Sequence, residues 1–214
     1  MQVLKYLRFV FEVIFPSLCY ICDKPSKNVV CEDCRYSIEH RLLINKVIYP
    51  GPPFYKLYSP FLYEMEIRDL IEKLKYQRQR AVVKFFKNYI TNLLDGNYDF
   101  IIPVPLHPLK EKERGFNQSL LIAELIKEKL RVPIVTEGIV RTKYTKTQTK
   151  LSRKEREENV KNAFNIKSKK RFIGKKLLIV DDVYTTGSTV KSLAKCFPKE
   201  VSRIDVLTLA ITRL

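Results

Sequence analysis

The sequence predicts an α/β protein with a mostly parallel sheet, helices on both faces of that sheet, and a small N-terminal metal-binding module. Three observations lead to this class. Short apolar runs alternate with segments of helical spacing from residue 58 to the C-terminus. The clearest run, 177–183, leads into a Thr/Gly/Ser-rich turn that opens a helix, and two C-x-x-C pairs stand near the N-terminus. We expect two units, residues 1–45 and 46–214.

Composition and charge narrow the class of protein. The chain has 214 residues, and 45% of them are hydrophobic, which is enough for a buried core and argues against global disorder. Lys and Arg number 40 against 23 Asp and Glu, so the formal net charge is +17. Such an excess favours a polyanionic partner, namely nucleic acid, an anionic membrane surface or a polyphosphate ligand. A Lys-rich solubilising surface is the alternative explanation.

Residues 1–15 are predicted to form an amphipathic helix that ends at Pro16. The segment is apolar but carries Lys5, Arg8 and Glu12, and it is shorter than the roughly 20 residues of a membrane span. No small-residue cleavage site follows it, so a signal peptide is not indicated. We expect the helix to pack on the protein body, with shallow membrane contact as the alternative. The expected compartment is the cytoplasm, with a peripheral position at the inner face of the membrane as a variant.

Four cysteines form two closely spaced pairs, CYIC and CEDC. They are Cys19, Cys22, Cys31 and Cys34. Two such knuckles complete the tetrahedral thiolate shell that Zn²⁺ favours, which predicts a structural zinc site. Two disulfides, a redox pair or an iron–sulfur cluster remain alternatives. The surrounding segment 17–40 is expected to be rich in loops, and because it is too small for its own core, the metal would supply its folding energy.

The remaining elements follow from hydrophobic spacing and from turn residues. The expected strands are 58–63, 100–104, 134–135, 139–140, 177–183 and 204–211. The expected helices are 64–76, 81–94, 116–130 and 189–197.

The stretch VDDVYTTGSTV, residues 180–190, places two acids at a strand end just before a hydroxyl- and glycine-rich turn. The turn offers backbone N–H groups and hydroxyls to a phosphate, and Gly187 lets the backbone approach it closely. Asp181 and Asp182 would repel that phosphate but can accept hydrogen bonds from sugar hydroxyls, so a ribose 5-phosphate suits both halves. A Walker-B-like acid pair holding Mg²⁺, or a plain strand end, is the alternative. The P-loop that a nucleotide hydrolase would need is absent from the sequence.

This stretch closely resembles the phosphoribosyl-pyrophosphate (PRPP) motif of type I phosphoribosyltransferases. Three further segments extend the resemblance in the same order along the chain: CYIC…CEDC, PVPLHPLKEKERGFNQSLLIAELI and RTKYTKTQTKLSRKEREENVKNAFNI. Together they resemble the ComF family, bacterial competence proteins with a zinc module ahead of a phosphoribosyltransferase-like domain. The resemblance covers nearly the whole chain.

The resemblance implies roles for the residues of the quoted stretch and for two other segments. Asp181 and Asp182 would bind the ribose hydroxyls of PRPP. Its 5-phosphate would lie against Thr185, Thr186, Gly187, Ser188 and Thr189. Its pyrophosphate would lie near Leu106 and His107, followed by Arg114, Asn117 and Gln118. Mg²⁺ would accompany PRPP on the pyrophosphate and ribose oxygens.

The basic segment 141–158 lies where these enzymes carry a mobile loop that closes over the substrate. Such closure would shield a developing ribosyl cation from water. The residues to test there are Arg141, Lys143, Thr145, Gln148 and Arg156, with Arg141 and Lys143 as the candidates for a catalytic role.

Three of these assignments can be weighed against plain structural alternatives. His107 could cap a helix beside Pro108 instead of contacting an anion. Arg114 is expected to open a helix, where a cation opposes the helix dipole, so binding is favoured over capping for this residue. The basic loop could also be simply a solvated segment.

Two functions from different classes follow. The first is a PRPP-binding factor in DNA uptake that handles single-stranded DNA, with 12 Tyr and 12 Phe available for stacking on bases. The second is an active phosphoribosyltransferase of nucleotide salvage or metabolism that acts on an unidentified acceptor. The zinc module could also dock a partner such as a helicase. No obligatory catalytic residue is visible, so the sequence leaves enzymatic activity open.

Overall fold

A computed structural model describes residues 17–144 and 162–213 of the chain. The predicted helix 1–15 and the loop residues Thr145, Gln148 and Arg156 lie outside these ranges. In the described residues, no helix is long and apolar enough to cross a membrane.

The described chain alternates between strands and helices. The strands are β1 (Leu43–Ile48), β2 (Leu57–Leu62), β3 (Phe100–Pro103), β4 (Ile139–Arg141), β5 (Phe164–Ile166), β6 (Lys176–Val180), β7 (Val183–Tyr184), β8 (Arg203–Leu207) and β9 (Ala210–Ile211). The helices are α1 (Glu32–Leu42), α2 (Met65–Tyr76), α3 (Val82–Leu93), α4 (Pro108–Arg114), α5 (Gln118–Leu130), a 3₁₀ helix (Lys169–Phe172) and α6 (Ser188–Ala194).

Seven strands form one sheet in the order β3-β6-β8-β2-β9-β7, with β1 paired to β2. All of its pairings are parallel except that of β1 with β2. The pair β7–β9 continues the pair β6–β8 beyond a short interruption in each chain segment. Because β3, β6 and β8 run in the same direction, their carboxyl ends meet at one edge of the sheet, where open α/β sheets bind ligands.

The sheet is covered on both faces. On one face, α2, α3 and α5 contribute Leu74, Phe86 and Ile122 to a core that includes Leu178 and Leu207 of the sheet. On the other face, α6 and the 3₁₀ helix pack Leu193 and Phe172 against the alternate residues of β6 and β8, among them Leu177, Ile179 and Val206. Successive side chains of a strand point to opposite faces of the sheet, so β6 and β8 contribute alternate residues to the two cores. The predicted fold class is confirmed.

The N-terminal part shares the first of these cores. Cys19, Val30, Ile38 and Leu42 belong to the same buried cluster as the side chains of α2 and α3. The segment 17–40 is less loop-rich than expected, because α1 begins at Glu32 and carries Cys34 in its first turn. The boundary near residue 45 remains a prediction.

The main strands and helices lie within a few residues of their predicted bounds, and the differences concern short elements. Strands β1 and β5, the 3₁₀ helix and helix α4 were not predicted, and the predicted strand 134–135 forms only a single bridge, from Ile134 to Ile101. Helix α4 has a clear local cause: Pro108 stands in its first turn, and Gly115 ends it with a left-handed backbone, φ 77°.

Candidate functional site

Two adjacent aspartates lie at the carboxyl end of the sheet, in the gap between β6 and β7. The backbone N–H of Asp181 donates to the carbonyl of Leu207 at 3.0 Å, and the N–H of Leu209 donates to the carbonyl of Asp182 at 3.0 Å. These bonds extend the parallel pairing past the ends of β6 and β8. The backbone of both acids is therefore fixed by the neighbouring strand. The acids lie at the end of a strand, as the sequence predicts.

Asp181 is held by the first turn of α5. The hydroxyl of Ser119 donates to its Oδ1 at 3.1 Å, and the N–H of Asp182 donates to the same oxygen at 2.9 Å. Burial raises the pKa of Asp181 to about 7, and the negative charge of Asp182 adds to the effect. The two hydrogen bonds and Lys75 oppose this shift without cancelling it.

Asn117 fixes the position of that turn. Its Oδ1 accepts from the N–H groups of Ser119 and Leu120, at 2.9 and 3.4 Å, so it caps α5. Its Nδ2 donates to the carbonyl of Val104 at 3.0 Å and so ties the helix to the end of β3. The following residue, Gln118, is only 1% exposed, and its side-chain nitrogen has no hydrogen-bond partner in the described part of the chain. A buried amide donor in this place is available to a ligand.

Asp182 has a different partner. Lys75, near the end of α2, places its Nζ 3.0 Å from Asp182 Oδ1, and the two side chains are only 16% and 13% exposed. Burial alone would lower the pKa of Lys75, but Asp182, together with Tyr63 and Asp181, outweighs this effect, so the pKa is raised. Asp182 is thus paired with a cation, whereas Asp181 accepts hydrogen bonds from a hydroxyl and a backbone amide.

The turn that follows the acids is closely packed. Gly187 has φ 71°, and a Cβ at this position would overlap the hydroxyl and ring of Tyr184. Thr186 Oγ1 lies 3.0 Å from Ser188 Oγ, and the N–H of Ser188 donates to Thr186 Oγ1 at 3.3 Å. Thr185 and Thr189 are half-buried at the two ends of this turn. Only glycine satisfies both the left-handed backbone and the short distance to Tyr184.

Three further cations lie within electrostatic reach of one another at this edge. Burial lowers the pKa of Lys110 to about 8, and the charges of Arg141 and Arg114 add to the shift. Burial also lowers the pKa of Arg141, while the charge of Asp181 opposes that change. A cluster of desolvated cations beside an acid pair is suited to a ligand that carries several negative charges.

The structure corrects one argument about Arg114. This residue does not open a helix: it is the last residue of α4, where a cation is favoured by the helix dipole. Its guanidinium also lies over the ring of Tyr76, 5.4 Å from the ring centre. The sequence argument for a binding role is therefore lost, and what remains is the proximity of Arg114 to Lys110 and Arg141.

The segment after β3 contains a capping residue. His107 Nδ1 accepts from the N–H of Leu109 at 3.3 Å, so His107 caps α4 as the structural alternative expected. The same histidine lies edge-on to the ring of Tyr144, with ring centres 5.2 Å apart. Leu106 is half-buried, and Lys143 is exposed. Whether these residues contact a ligand stays a prediction.

The sequence patterns did not indicate three residues of the site: Lys75, Lys110 and Ser119. Lys75 and Ser119 meet the aspartates across long stretches of chain; Ser119 and Asp181 are 62 positions apart. No local pattern signals such contacts. The NQS sequence at 117–119 could have indicated the cap of α5, since Asn is a preferred N-cap residue.

The four cysteines of the two knuckles form a cluster in which all Sγ atoms lie within 4.8 Å of one another. Cys22 Sγ and Cys31 Sγ are 3.8 Å apart, which is far beyond an S–S bond. This distance matches the sulfur–sulfur distance in a tetrahedral zinc site. With zinc–sulfur bonds of about 2.3 Å, the edge of the tetrahedron is about 3.8 Å. The four thiols can hold a metal ion, and disulfides are not formed.

Backbone amides support a thiolate in this cluster. The N–H groups of Ile21 and Cys31 both lie 3.4 Å from Cys19 Sγ. Burial opposes ionisation of Cys19, but these donors together with those of Cys22 outweigh it and lower the pKa to about 6. A thiolate that is already favoured at neutral pH is a ready metal ligand.

Comparison with curated proteins identifies relatives over most of the chain. It is 31% identical over 208 residues to competence protein F of Haemophilus influenzae, covering 90% of each chain. It is 30% identical over 191 residues to DNA utilization protein YhgH of Escherichia coli K12, covering 83% of this chain and 82% of that protein. Competence protein ComFC of Bacillus subtilis 168 is 25% identical over 205 residues, with 92% and 78% covered.

Comparisons with family models and solved structures add less. No family model matches the chain. Adenine phosphoribosyltransferase from Thermoanaerobacter pseudethanolicus aligns with a TM-score of 0.41 at 16% identity, over 82% of this chain and 87% of that one. The glutamine PRPP amidotransferase of Bacillus subtilis aligns with a TM-score of 0.37 at 20% identity, over 59% and 25%.

Proposed function

Because this chain belongs to the ComF family of competence and DNA utilization proteins, we propose that it is a PRPP-binding, phosphoribosyltransferase-like protein that acts in DNA uptake. In this role it would bind PRPP at the carboxyl edge of the sheet and handle single-stranded DNA in the cytoplasm. The single observation that carries the ligand assignment is the fixed acid pair Asp181–Asp182, followed directly by the glycine turn.

The two halves of this motif suit the two chemistries of a phosphorylated ribose. Asp181 and Asp182 supply carboxylate oxygens, which accept hydrogen bonds from sugar hydroxyls. The turn at Thr185–Thr189 supplies hydroxyls and backbone N–H groups, which donate to a 5-phosphate. Lys110, Arg114 and Arg141 would face the pyrophosphate, whose charge they offset. Gln118 would contribute a buried amide donor.

Two metal ions belong to this proposal. Zn²⁺ would be held by Cys19, Cys22, Cys31 and Cys34 and would stabilise the N-terminal part. Mg²⁺ would arrive with PRPP and neutralise pyrophosphate charge while keeping several of its waters. The chain's own contribution is to position the ribose and to surround the pyrophosphate with cations.

The DNA partner is supported by charge and by the names of the relatives. A net charge of +17 favours a polyanion, and the related proteins are named for competence and DNA utilization. A helicase or another component of the uptake machinery would dock on the N-terminal module. The second candidate function is an active phosphoribosyltransferase of nucleotide salvage. The acid pair and turn favour it equally, since the acceptor would itself attack the ribose as pyrophosphate leaves, and the protein would need no nucleophilic side chain.

Calorimetric titration of PRPP with Mg²⁺ into the wild type tests the ligand assignment. We expect saturable binding, and loss of that binding in the Asp181→Asn/Asp182→Asn double variant with an unchanged circular dichroism spectrum. Absence of binding by the wild type, or unchanged affinity in the folded double variant, would refute the assignment. Release of pyrophosphate in the presence of a nucleobase would favour the transferase, and DNA binding that weakens steeply with salt would favour the uptake factor.

A further inference from the structure

We propose that Lys75 is a positioning residue for the ribose: it holds Asp182 through one carboxylate oxygen and leaves the other oxygen to accept from the sugar hydroxyls. This inference rests on the proposed function, because it concerns the same site. It adds a residue from α2, 107 positions before Asp182 in the chain, and it gives the two aspartates different tasks.

The geometry of the pair supports a positioning role. Lys75 Nζ contacts Asp182 Oδ1 at 3.0 Å, and no more than a sixth of either side chain is exposed. A lysine that projects freely from a surface helix can adopt many rotamers, whereas one that is buried against a carboxylate restricts that carboxylate to a narrow range of orientations. Asp182 Oδ2 is not used by this ion pair.

The end of α2 is anchored, which keeps Lys75 in place. Leu74 is fully buried in the core, and Lys73 Nζ donates to the carbonyl of Tyr20 in the N-terminal module. The helix closes with a hydrogen bond from the N–H of Gln77 to the carbonyl of Lys73 at 3.0 Å. The last turn of α2 therefore has contacts on both sides of Lys75, and these do not involve Asp182.

Charge gives a second reason for a cation at this point. Two adjacent carboxylates would repel a sugar that carries a phosphate at one end and a pyrophosphate at the other. The ammonium group of Lys75 offsets one of the two negative charges while Asp182 keeps its acceptor oxygens. Asp181 is already engaged through Oδ1 by Ser119 and by the Asp182 N–H. Asp182 is consequently the acid whose orientation depends on Lys75.

The test compares Lys75→Met, Lys75→Arg and Lys73→Met with the wild type. Lys73→Met is the matched control, because it removes a lysine from the same helical turn whose partner is Tyr20 and not an aspartate. Calorimetry would measure affinity for PRPP with Mg²⁺, for ribose 5-phosphate and for 2-deoxyribose 5-phosphate. The last two probes differ by one hydroxyl, so their affinity ratio reports on the hydroxyl acceptor.

We expect Lys75→Met to weaken PRPP binding by roughly tenfold or more and to reduce the preference for ribose over deoxyribose 5-phosphate. Lys75→Arg should restore much of both. Lys73→Met should keep the wild-type preference for ribose over deoxyribose 5-phosphate, because Leu74 still anchors the turn and the Lys75–Asp182 pair is intact. If Lys75→Met does not fold, Lys75→Gln, which keeps a donor but loses the charge, is expected to give the same reduced preference.

Three outcomes would overturn the inference. Unchanged PRPP affinity in Lys75→Met would remove Lys75 from the site while leaving the proposed function intact. Equal losses for the ribose and deoxyribose probes would mean that Lys75 acts on the phosphates or on the fold, and not through a hydroxyl acceptor. Absence of PRPP binding by the wild type would overturn the proposed function and this inference with it.

Discussion

The hydroxyl of Ser119 donates a hydrogen bond to Asp181 at 3.1 Å and so joins the first turn of α5 to the end of β6. Asp182, the next residue, is paired instead with the ammonium group of Lys75 at 3.0 Å. Two neighbouring carboxylates thus lie in different environments, one buried among hydrogen-bond donors and one beside a cation. Burial raises the pKa of Asp181, and the different partners of the two acids allow them to take different roles.

Asp181→Asn is expected to stabilise the ligand-free protein at pH 8 and to weaken PRPP binding. The folded-state pKa is raised to about 7, above the ordinary value of 3.8. Between these two values the folded protein keeps a proton that the unfolded chain has released, so stability falls as pH rises through this window. Asn cannot ionise and avoids this cost, which is at most about 4 kcal/mol at pH 8.

Urea unfolding at pH 5 and pH 8 measures this effect, with Asp182→Asn as the comparison. Asp182→Asn removes the partner of a half-buried lysine and should destabilise the protein at both pH values. An Asp181→Asn protein whose stability depends on pH as steeply as that of the wild type between pH 5 and 8 would contradict the raised pKa.

Asn117→Ala should cost about 1–2 kcal/mol of stability, because it removes the cap of α5 and the bond to Val104. Asn117→Ser is the matched control: it keeps a capping oxygen and loses the donor to the Val104 carbonyl without adding a charge. Chemical denaturation of both variants separates the two contributions. Equal stability of Asn117→Ala and the wild type would show that the cap does not hold this turn.

The site divides into parts that the sequence predicts and parts that it does not. The acid pair and its turn are contiguous, so one stretch of 11 residues carries the strand end, the carboxylates and Gly187 together. The cysteine cluster is equally local, since its spacing determines which thiols can meet. Lys75 and Ser119 reach the same aspartates only through packing of α2 and α5 on the sheet, and no short-range pattern encodes that packing.

The prediction that Arg114 opens a helix was wrong for a similar reason. In the sequence ERGFNQ, the arginine is close to the start of the long helix α5, so it was expected to open a helix. Gly115 instead ends a short helix with a left-handed backbone, and Asn117 caps the next one. Two helix ends within four residues cannot be separated by hydrophobic periodicity, because α4 has no buried side chain to show its phase.

Gly187→Ala should destabilise the protein and abolish PRPP binding. The substitution combines an unfavourable φ of 71° with overlap of the new Cβ and Tyr184. Gly174→Ala is the control, because Gly174 has φ 70° but no atom within 4 Å of the added Cβ. Gly174→Ala should therefore lose only about 1 kcal/mol of stability, which comes from its left-handed backbone. Its affinity for PRPP should equal that of the wild type. Equal stability losses in the two variants would mean that the turn relaxes away from Tyr184.

Cys34→Ser should lose the metal ion, and Cys196→Ser should keep it. Cys34 belongs to the four-thiol cluster, whereas Cys196 lies on the far side of the chain's core with its Sγ donating to the Phe164 carbonyl. Elemental analysis of the purified proteins is expected to give one zinc per chain for the wild type and for Cys196→Ser.

Metal loss should also loosen the contact between the N-terminal module and α2, since Tyr20 lies between two cluster cysteines and its carbonyl accepts from Lys73 of α2. The Tyr20 hydroxyl also donates to Gln79, just beyond the helix, at 2.9 Å. Thermal unfolding of Cys34→Ser should therefore begin at a lower temperature, and hydrogen exchange should rise at the end of α2 as well as in the knuckles. A metal-free Cys34→Ser protein with wild-type exchange in α2 would show that the module does not support that helix.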